Sequence, residues 1–429
     1  MSQTVLLAGT AKAVLHFDEP VAVFQQDATL VQTGEIEINT LIFQQGEELV
    51  CFVSADALYT SINVREAVMR ILGNSIPLKN EHLILVASHS HNAPTLDDSK
   101  PHLCKLNPAY KDNAVKVIAA TIIESWNNKQ QVKLTFGTDT NNLLVNRRLK
   151  TWGRTGVIPV QKVKMLPNSS GPIDNQLRCW MINTLAGEKL GIIWNYSCHP
   201  TAYPKEKVVH PDFPGDVRNL FRKAIHKDIP VLFFSGFLGN LRPALYGKPT
   251  SIKDLFYFLL HGKIFKKPSL SKYNEWCQSL YASLKRAIDN TKSIEVNNLR
   301  LVRTTISLKT ILKEPVPGSL ELFALSGIGK QVFMMASAEV LVEYQNLLKP
   351  HLELDNDTLI PISCVNTVFG YLPCDRHIAE GGYEVELFMP WFSLGSNEFY
   401  SHMEHDVIDP WVAIARRSKE TNKLSVNNG

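Results

Sequence analysis

The most restrictive feature of the chain is a pattern met three times, a short and largely apolar run that passes without a spacer into a loop carrying chemistry. Leu83-Ile84-Leu85 leads into Val86-Ala87-Ser88-His89-Ser90-His91-Asn92-Ala93-Pro94. Residues 189–196 run straight into Ser197-Cys198-His199-Pro200, and residues 231–234 empty into Ser235-Gly236-Phe237-Leu238-Gly239-Asn240-Leu241-Arg242-Pro243. Such runs are expected to be buried strands, ended by the Asn, Pro and Gly that follow. Residues two apart on a strand share a face, so His89 and His91 converge if the extended conformation persists into the loop. One can then bind a metal while the other works beside it. Taken singly, the pair is better explained by histidines hydrogen-bonded at a strand end.

The intervening chain alternates in kind. Residues 5–9, 30–43 and 48–54 have strand character, 62–72 and 109–126 show helical spacing, and 176–183 with 189–196 form a hairpin. A helix is expected over 217–226 behind Asp212-Phe213-Pro214-Gly215, another over 274–288, and strands over 298–308, 320–325, 330–336 and 359–364. Glu339 is expected to open a helix that continues to Leu348. The fold class that follows is α/β, with mixed β-sheets flanked by helices and function in the loops at strand ends. No repeat or linker divides the 429 residues, so one unit is expected over 1–429, with a lid or insertion at 252–291. Within it, Leu255-Phe256-Tyr257-Phe258-Leu259-Leu260, followed by Lys263, Lys266 and Lys267, is expected to be a buried helical turn, or else a lid or membrane-interface element.

Composition removes several function classes. With 45 Lys and Arg against 41 Asp and Glu and no basic arm, a nucleic-acid partner is not indicated. No apolar stretch reaches the roughly 18 residues of a spanning helix, and no signal-like segment opens the chain. Seven scattered cysteines without a CxxC pair suggest buried, reduced thiols and neither disulfides nor a zinc ribbon. Cytoplasmic residence is expected, with peripheral membrane contact left open and the oligomeric state not legible.

A hydrolytic zinc site needs three or four N, O or S donors and room for water. His89 and His199 at strand ends supply two, and Glu339 can supply a carboxylate, although taken alone an acid at a helix start is better explained by the macrodipole. His402, Glu404 and His405 form a competing cluster, for which a polar terminal helix is the better explanation.

Taken together, Ala87-Ser88-His89-Ser90-His91-Asn92-Ala93-Pro94, Asn146-Arg147, Cys198-His199-Pro200-Thr201, Asp212-Phe213-Pro214-Gly215, Gly239-Asn240-Leu241-Arg242-Pro243, Ala338-Glu339-Val340, and Gly370-Tyr371-Leu372-Pro373 with Gly381-Gly382-Tyr383-Glu384 resemble the neutral/alkaline, non-lysosomal ceramidase family. They fall in the family's order across nearly the whole chain. The resemblance implies the ceramidase catalytic-domain fold, a zinc ion held by His89, His199, Glu339 and Tyr371, and a reacting centre flanked by His91, Arg147 and Tyr383. Arg147 and Tyr383 would hold an oxyanion and His91 would shuttle a proton. Asp212, Asn240 and Arg242 would lie on the substrate side. The chain departs from the family at Thr95-Leu96, Ser337-Ala338 and Asn240, all on that side, and the 37 residues after Phe392 are too few for the family's C-terminal sandwich, which needs about 100.

The activity implied is zinc-dependent cleavage of an N-acyl amide bond. The same site run backwards, forming an amide, and a lipid-binding scaffold without turnover are the alternatives. Asp97 and Asp98 favour a cationic or hydroxyl-bearing head group, while 252–268 suits an acyl chain. An N-acylated amine or amino-acid-like substrate with a single acyl chain, covered by 252–268, is the resulting expectation.

Overall fold

The computed structural model describes residues 5–155 and 158–420, with side chains left undescribed over 153–160. Its largest sheet has nine strands. In spatial order they are Val231–Ser235, Lys189–Tyr196, Gln176–Thr184, Gln130–Thr140, Leu6–Val14, Glu37–Gln45, Glu48–Ala55 and Leu83–Ala87, with Lys292–Ile294 also pairing on Gln130–Thr140. The pairings are antiparallel except at the two ends, where Val231–Ser235 lies parallel to Lys189–Tyr196 and Leu83–Ala87 parallel to Glu48–Ala55. Both terminal strands are buried at every residue, as their unbroken apolar runs require.

The sheet curls until these ends meet. Ser54 Oγ donates to the Phe233 carbonyl at 2.9 Å, and Ser235 Oγ reaches the Ala87 carbonyl at 3.4 Å. The segment after the strand Leu359–Ile362 closes the seam, with the Ala87 amide donating to the Cys364 carbonyl and the Ser363 amide to the Ser235 carbonyl. That strand belongs to a second sheet, ordered Val296–Ser307, Ser319–Ile328, Gln331–Ala336 and Leu359–Ile362. The ends of Leu83–Ala87, Lys189–Tyr196 and Val231–Ser235 are thereby gathered in one place. Ligands bind where the carboxyl ends of such strands converge.

Helices cover the sheets. Ile62–Leu72 is capped by Ser61 and stopped by Gly73 at φ 50°, and Pro108–Asn127 starts with Asn107 as its cap. Asp212–Ile225 and Leu270–Asp289 pack together, and Met403–Lys419 lies on the second sheet with Trp411 Nε1 donating to the Phe323 carbonyl. The competing cluster at 402–405 thus resolves into the start of a helix, with His402 and His405 paired to Asp375 and Asp409. All seven cysteines are buried and free.

The helix Asp212–Ile225 is fastened by a buried ionic cluster. Arg218 meets Asp56 at 2.8 Å and Arg222 meets Glu37 at 2.6 Å. Burial raises the Glu37 carboxyl, but Arg218 and Arg222 outweigh it and bring its pKa from 4.5 down to about 2. Protons therefore bind the unfolded chain first as pH falls. The stabilisation, about 3 kcal/mol, is complete above pH ~4.5 and lost as pH falls towards ~2. Urea unfolding across that window should show the loss in the wild type and a flatter profile in Glu37→Gln. Equal slopes would remove Glu37 from the account.

Several expectations need correction. The strand expected over 30–43 starts only at Glu37 and runs Glu37–Gln45, with Leu30 and Val31 exposed ahead of it. Glu339 does not open a helix. It lies on a two-residue strand, Glu339–Val340, parallel to Tyr371–Leu372, and the helix starts at Glu343. Residues 252–261 do form a helix, but none of its residues is buried. Leu270–Asp289 is no lid either, since Tyr273, Trp276, Leu280 and Leu284 enter the core.

Candidate metal centre and active site

The strand carrying the histidine pair ends at Ala87, and His89 takes a left-handed backbone with φ 63°. The extended conformation therefore does not persist, yet the two rings meet, with centroids 5.1 Å apart. The loop is set by the segments that follow two other strands, Glu48–Ala55 and Lys189–Tyr196, as the His89 amide donates to the Ala57 carbonyl and the His91 amide to the Pro200 carbonyl. A non-glycine residue held at positive φ by its surroundings is a form of strain that concentrates at functional sites. His199 arrives from the end of Lys189–Tyr196, and its ring centroid lies 5.1 Å from that of His89. Glu339 stands beside Tyr371 because the two are register partners in the parallel pair. Gly239 makes this possible. A Cβ there would lie 2.7 Å from the Glu339 carbonyl oxygen, so the glycine loop approaches the backbone of the Glu339 strand closely, not a ligand.

The donors of these residues face one another. Ring nitrogens of His89, His91 and His199 all lie within 4.8 Å. His89 Nδ1 bonds to the Leu58 carbonyl at 3.0 Å and His199 Nδ1 to the Leu238 carbonyl at 2.8 Å. A carbonyl can only accept, so each Nδ1 carries its proton and each Nε2 of a neutral ring presents a lone pair. Those Nε2 atoms point at one carboxylate oxygen, Glu339 Oε2, at 3.5 Å for His89 and 3.0 Å for His199. Burial first, and then the Arg147 charge, push the His199 pKa down to about 4, so it is neutral at pH 7. His89 Nε2 is buried without a hydrogen bond. Lone pairs converging in a buried place favour a cation among them, and the donor set fits a divalent metal ion. The other Glu339 oxygen accepts from the Tyr59 hydroxyl at 2.7 Å, which orients the carboxylate.

On the far side of Tyr371 stands a cationic group. Arg147, from the strand Leu144–Thr155, donates through Nε to Glu384 Oε1 at 2.7 Å, and Arg148 meets the other Glu384 oxygen at 2.7 Å. One carboxylate shared by two arginines leaves local positive charge. Arg147 Nη2 is buried without a hydrogen bond, and its guanidinium carbon lies 5.4 Å from the Tyr371 ring and 5.7 Å from the Tyr383 ring. The Tyr371 phenol is driven well up, by burial and then by Glu339, whereas Tyr383 is half-buried and raised to about 12. His91 is half-buried and packs at a tilt on Phe24, with 4.0 Å between centroids. Burial, with His89 and His199 beside it, keeps its ring neutral.

The residues expected on the substrate side divide. Asp212 is fully buried and its carboxylate accepts from the amides of Ala202, Tyr203 and Phe213, so it braces the loop after His199. Asn240 is also buried, bound to Glu343 and to the Val342 amide. Arg242 alone of the three is half-exposed. It stacks on Phe265 with its guanidinium carbon 4.8 Å from the ring centroid, and no acid pairs with it among the described residues. Asp97, expected as a free acid beside the pocket, is buried and ion-paired with Lys100, while Thr95 and Leu96 are buried as well. Sequence reasoning missed Tyr59 and Lys100. Nothing local marks Tyr59, but Lys100 at three residues from Asp97 is a readable pairing signal.

A scan of protein-family models and a sequence search of curated proteins return no match. Solved structures do match. The crystal structure of neutral ceramidase from Pseudomonas aeruginosa superposes with a TM-score of 0.72 at 14% identity, covering 96% of this chain and 75% of that one. A structure described as ceramidase complexed with C2 gives 0.72 at 14% identity, covering 96% and 76%. At that identity the likeness speaks for architecture and not for activity. The chain has the mixed α/β fold of the neutral ceramidases.

Proposed function

We propose that the protein is a zinc-dependent amidohydrolase that cleaves an N-acyl amide bond. The observation that carries this reading is the convergence of the His89 and His199 lone pairs on Glu339, with Arg147 and Tyr383 gathered beyond Tyr371. His89, His199, Glu339 and Tyr371 would hold the ion. Zinc bound there supplies Lewis acidity toward the amide carbonyl and lowers the pKa of water.

The chain's own groups divide the remaining work. Arg147 Nη2, already desolvated and without a partner, donates to the oxygen on which negative charge grows, and the Tyr383 hydroxyl donates to it from the other side. His91 accepts a proton from the attacking water on a ring nitrogen and returns it to the amine nitrogen as the C–N bond breaks. Glu384 holds the Arg147 guanidinium in place and Tyr59 holds Glu339. The reverse reaction would use the same groups.

The substrate is proposed to be a single-chain N-acyl amine whose head group carries a carboxylate, as an N-acyl amino acid does. With Asp97 neutralised by Lys100, only Asp98 of the acidic pair stays exposed, which weakens the case for a cationic head group. Arg242 supports an anionic one. Burial and the Arg147 charge lower its pKa to about 10, which leaves it charged at pH 7 and without a carboxylate of its own. The acyl chain has a suitable place in a cavity of about 370 Å³ lined by Ile62, Leu308, Val368, Phe369 and Leu394. Its wall residue Phe392 packs on Tyr59 and Tyr371 at 5.9 and 6.0 Å, so one wall of the cavity touches two residues beside Glu339, although no donor residue lines the cavity itself. Cytoplasmic residence is supported by the seven unpaired cysteines.

Elemental analysis with a panel of N-acyl amides tests the proposal. Hydrolysis should require the ion, stop with a chelator and return with zinc, and an N-acyl amino acid should exceed the matched N-acylethanolamine. A long-chain ceramide outrunning both by a wide margin would overturn the substrate assignment. Turnover that survives complete removal of the metal would overturn the mechanism.

A further inference from the structure

The helix Ile252–His261 is amphipathic in the wrong sense for a helix on a water-soluble surface. Ile252, Leu255, Phe256, Leu259 and Leu260 follow the i, i+3, i+4, i+7, i+8 spacing of a single face. That face is turned to solvent, with Ile252 90% exposed, Leu259 74% and Leu260 60%. The polar side meets the protein instead. Asp254 pairs with Lys266 at 2.7 Å, and the Lys164 ammonium donates to the Tyr257 hydroxyl at 3.0 Å. A ten-residue helix held by its polar face while it offers its apolar face outward needs something apolar to cover it.

The surroundings say what covers it. Lys164 belongs to the ribbon formed by Leu144–Thr155 and Ile158–Asn168, which exposes Trp152 and meets the turn before Tyr383, Val163 lying against Gly382. Leu387 and Trp391, just after that turn, are exposed too. On the other side of the helix, Phe265 stacks on Arg242. The apolar surface therefore lies beside Arg242 and the turn that carries Tyr383. Its charge is one-sided. Residues 244–272 hold six lysines and one acid, Asp254, and residues 141–173 hold six lysines and arginines and no acid, of which Arg147 and Arg148 are buried on Glu384, while the rest of the chain carries more acids than bases.

We propose that this face docks the protein on an anionic lipid bilayer, with the helix Ile252–His261 lying in the interface plane and the mouth of the site turned to the membrane. The apolar face sinks to the boundary of head groups and acyl chains, Trp152 takes the depth that tryptophan favours, and the lysines meet lipid phosphates and carboxylates. A second copy of the chain is the poorer occupant. An isologous contact would set the same cationic surface against itself, and like charges across an interface oppose association.

Flotation of the full chain with vesicles reads the outcome without any turnover, so it is independent of whether the chain cleaves amides. Binding is expected to vesicles of equimolar phosphatidylcholine and phosphatidylserine, to weaken with added salt, and to be absent from phosphatidylcholine alone. Phe256→Ser combined with Leu259→Ser should weaken it by about 10²-fold, as the loss of two inserted side chains implies. Both positions are exposed, so circular dichroism and thermal unfolding should be unchanged. Equal binding of the variant, equal binding to both vesicle types, or a wild-type dimer in lipid-free solution that the same substitutions dissolve would each overturn the proposal.

Discussion

Glu339→Gln is expected to lower divalent-ion affinity by more than about 10²-fold and to take amide hydrolysis to background, while making the metal-stripped protein more stable than metal-stripped wild type. The two effects have one cause. In the wild type, Glu339 Oε2 stands 3.0 Å from His199 Nε2 and 3.5 Å from His89 Nε2, and none of these atoms carries a proton when both rings are neutral. An ion among them resolves the conflict, and without one it is a buried cost. Glutamine keeps an oxygen for the Tyr59 hydroxyl and places an amide donor where the second carboxylate oxygen stood. That donor satisfies a histidine lone pair and removes a buried charge, for a gain of about 1 to 3 kcal/mol in the stripped state. The affinity figure follows by comparison, since loss of a residue that merely orients a ligand already costs about 10- to 100-fold. Metal content by elemental analysis and unfolding by denaturant check both halves. Wild-type metal content in the variant would remove Glu339 from the ligand set, and a stripped variant less stable than stripped wild type would contradict the lone-pair account.

How far the site was legible in the sequence depends on the range of the interactions that build it. The loops bearing His89, His199 and Gly239 follow apolar runs that admit only a buried strand, and their stop residues are local, so these elements could be read directly. Glu339 could not. Ala336-Ser337-Ala338-Glu339-Val340-Leu341-Val342-Glu343-Tyr344 satisfies the rules for a helix start at either acid, and the choice of Glu343 is made by Tyr371, which pairs with Glu339 from far along the chain. The apolar helix Ile252–His261 was misjudged for another reason. Periodicity identifies the face that leaves water, not what receives it, and a face that meets lipid has the same pattern as one that meets a core. Asp97 shows the same limit for charge, since its partner Lys100 lay three residues on and only folding brings the pair under the surface.

Tyr383→Phe should lower kcat by about 10²-fold or more with metal content unchanged, and Arg147→Met should do the same at an added cost in stability. Tyr383 is half-buried and its hydroxyl bonds to no side chain among the described residues, so deleting one oxygen leaves the fold with nothing to repair. Its effect falls on the transition state, where a donor to a growing oxyanion is worth about 10² to 10³ in rate. Arg147 is different. It neutralises Glu384 together with Arg148, so its removal leaves a buried carboxylate with one cation in place of two, costing about 3 kcal/mol. Arg147→Lys keeps the charge but not the fork that serves Glu384 through Nε while Nη2 stays free for the substrate, and it should recover stability before it recovers rate. The comparison separates holding from catalysis. If metal content fell in step with kcat in Tyr383→Phe, the tyrosine would belong to the ion's shell. If Arg147→Lys restored full turnover, a point charge would suffice, and the geometry of the guanidinium would have no part in stabilising the oxyanion.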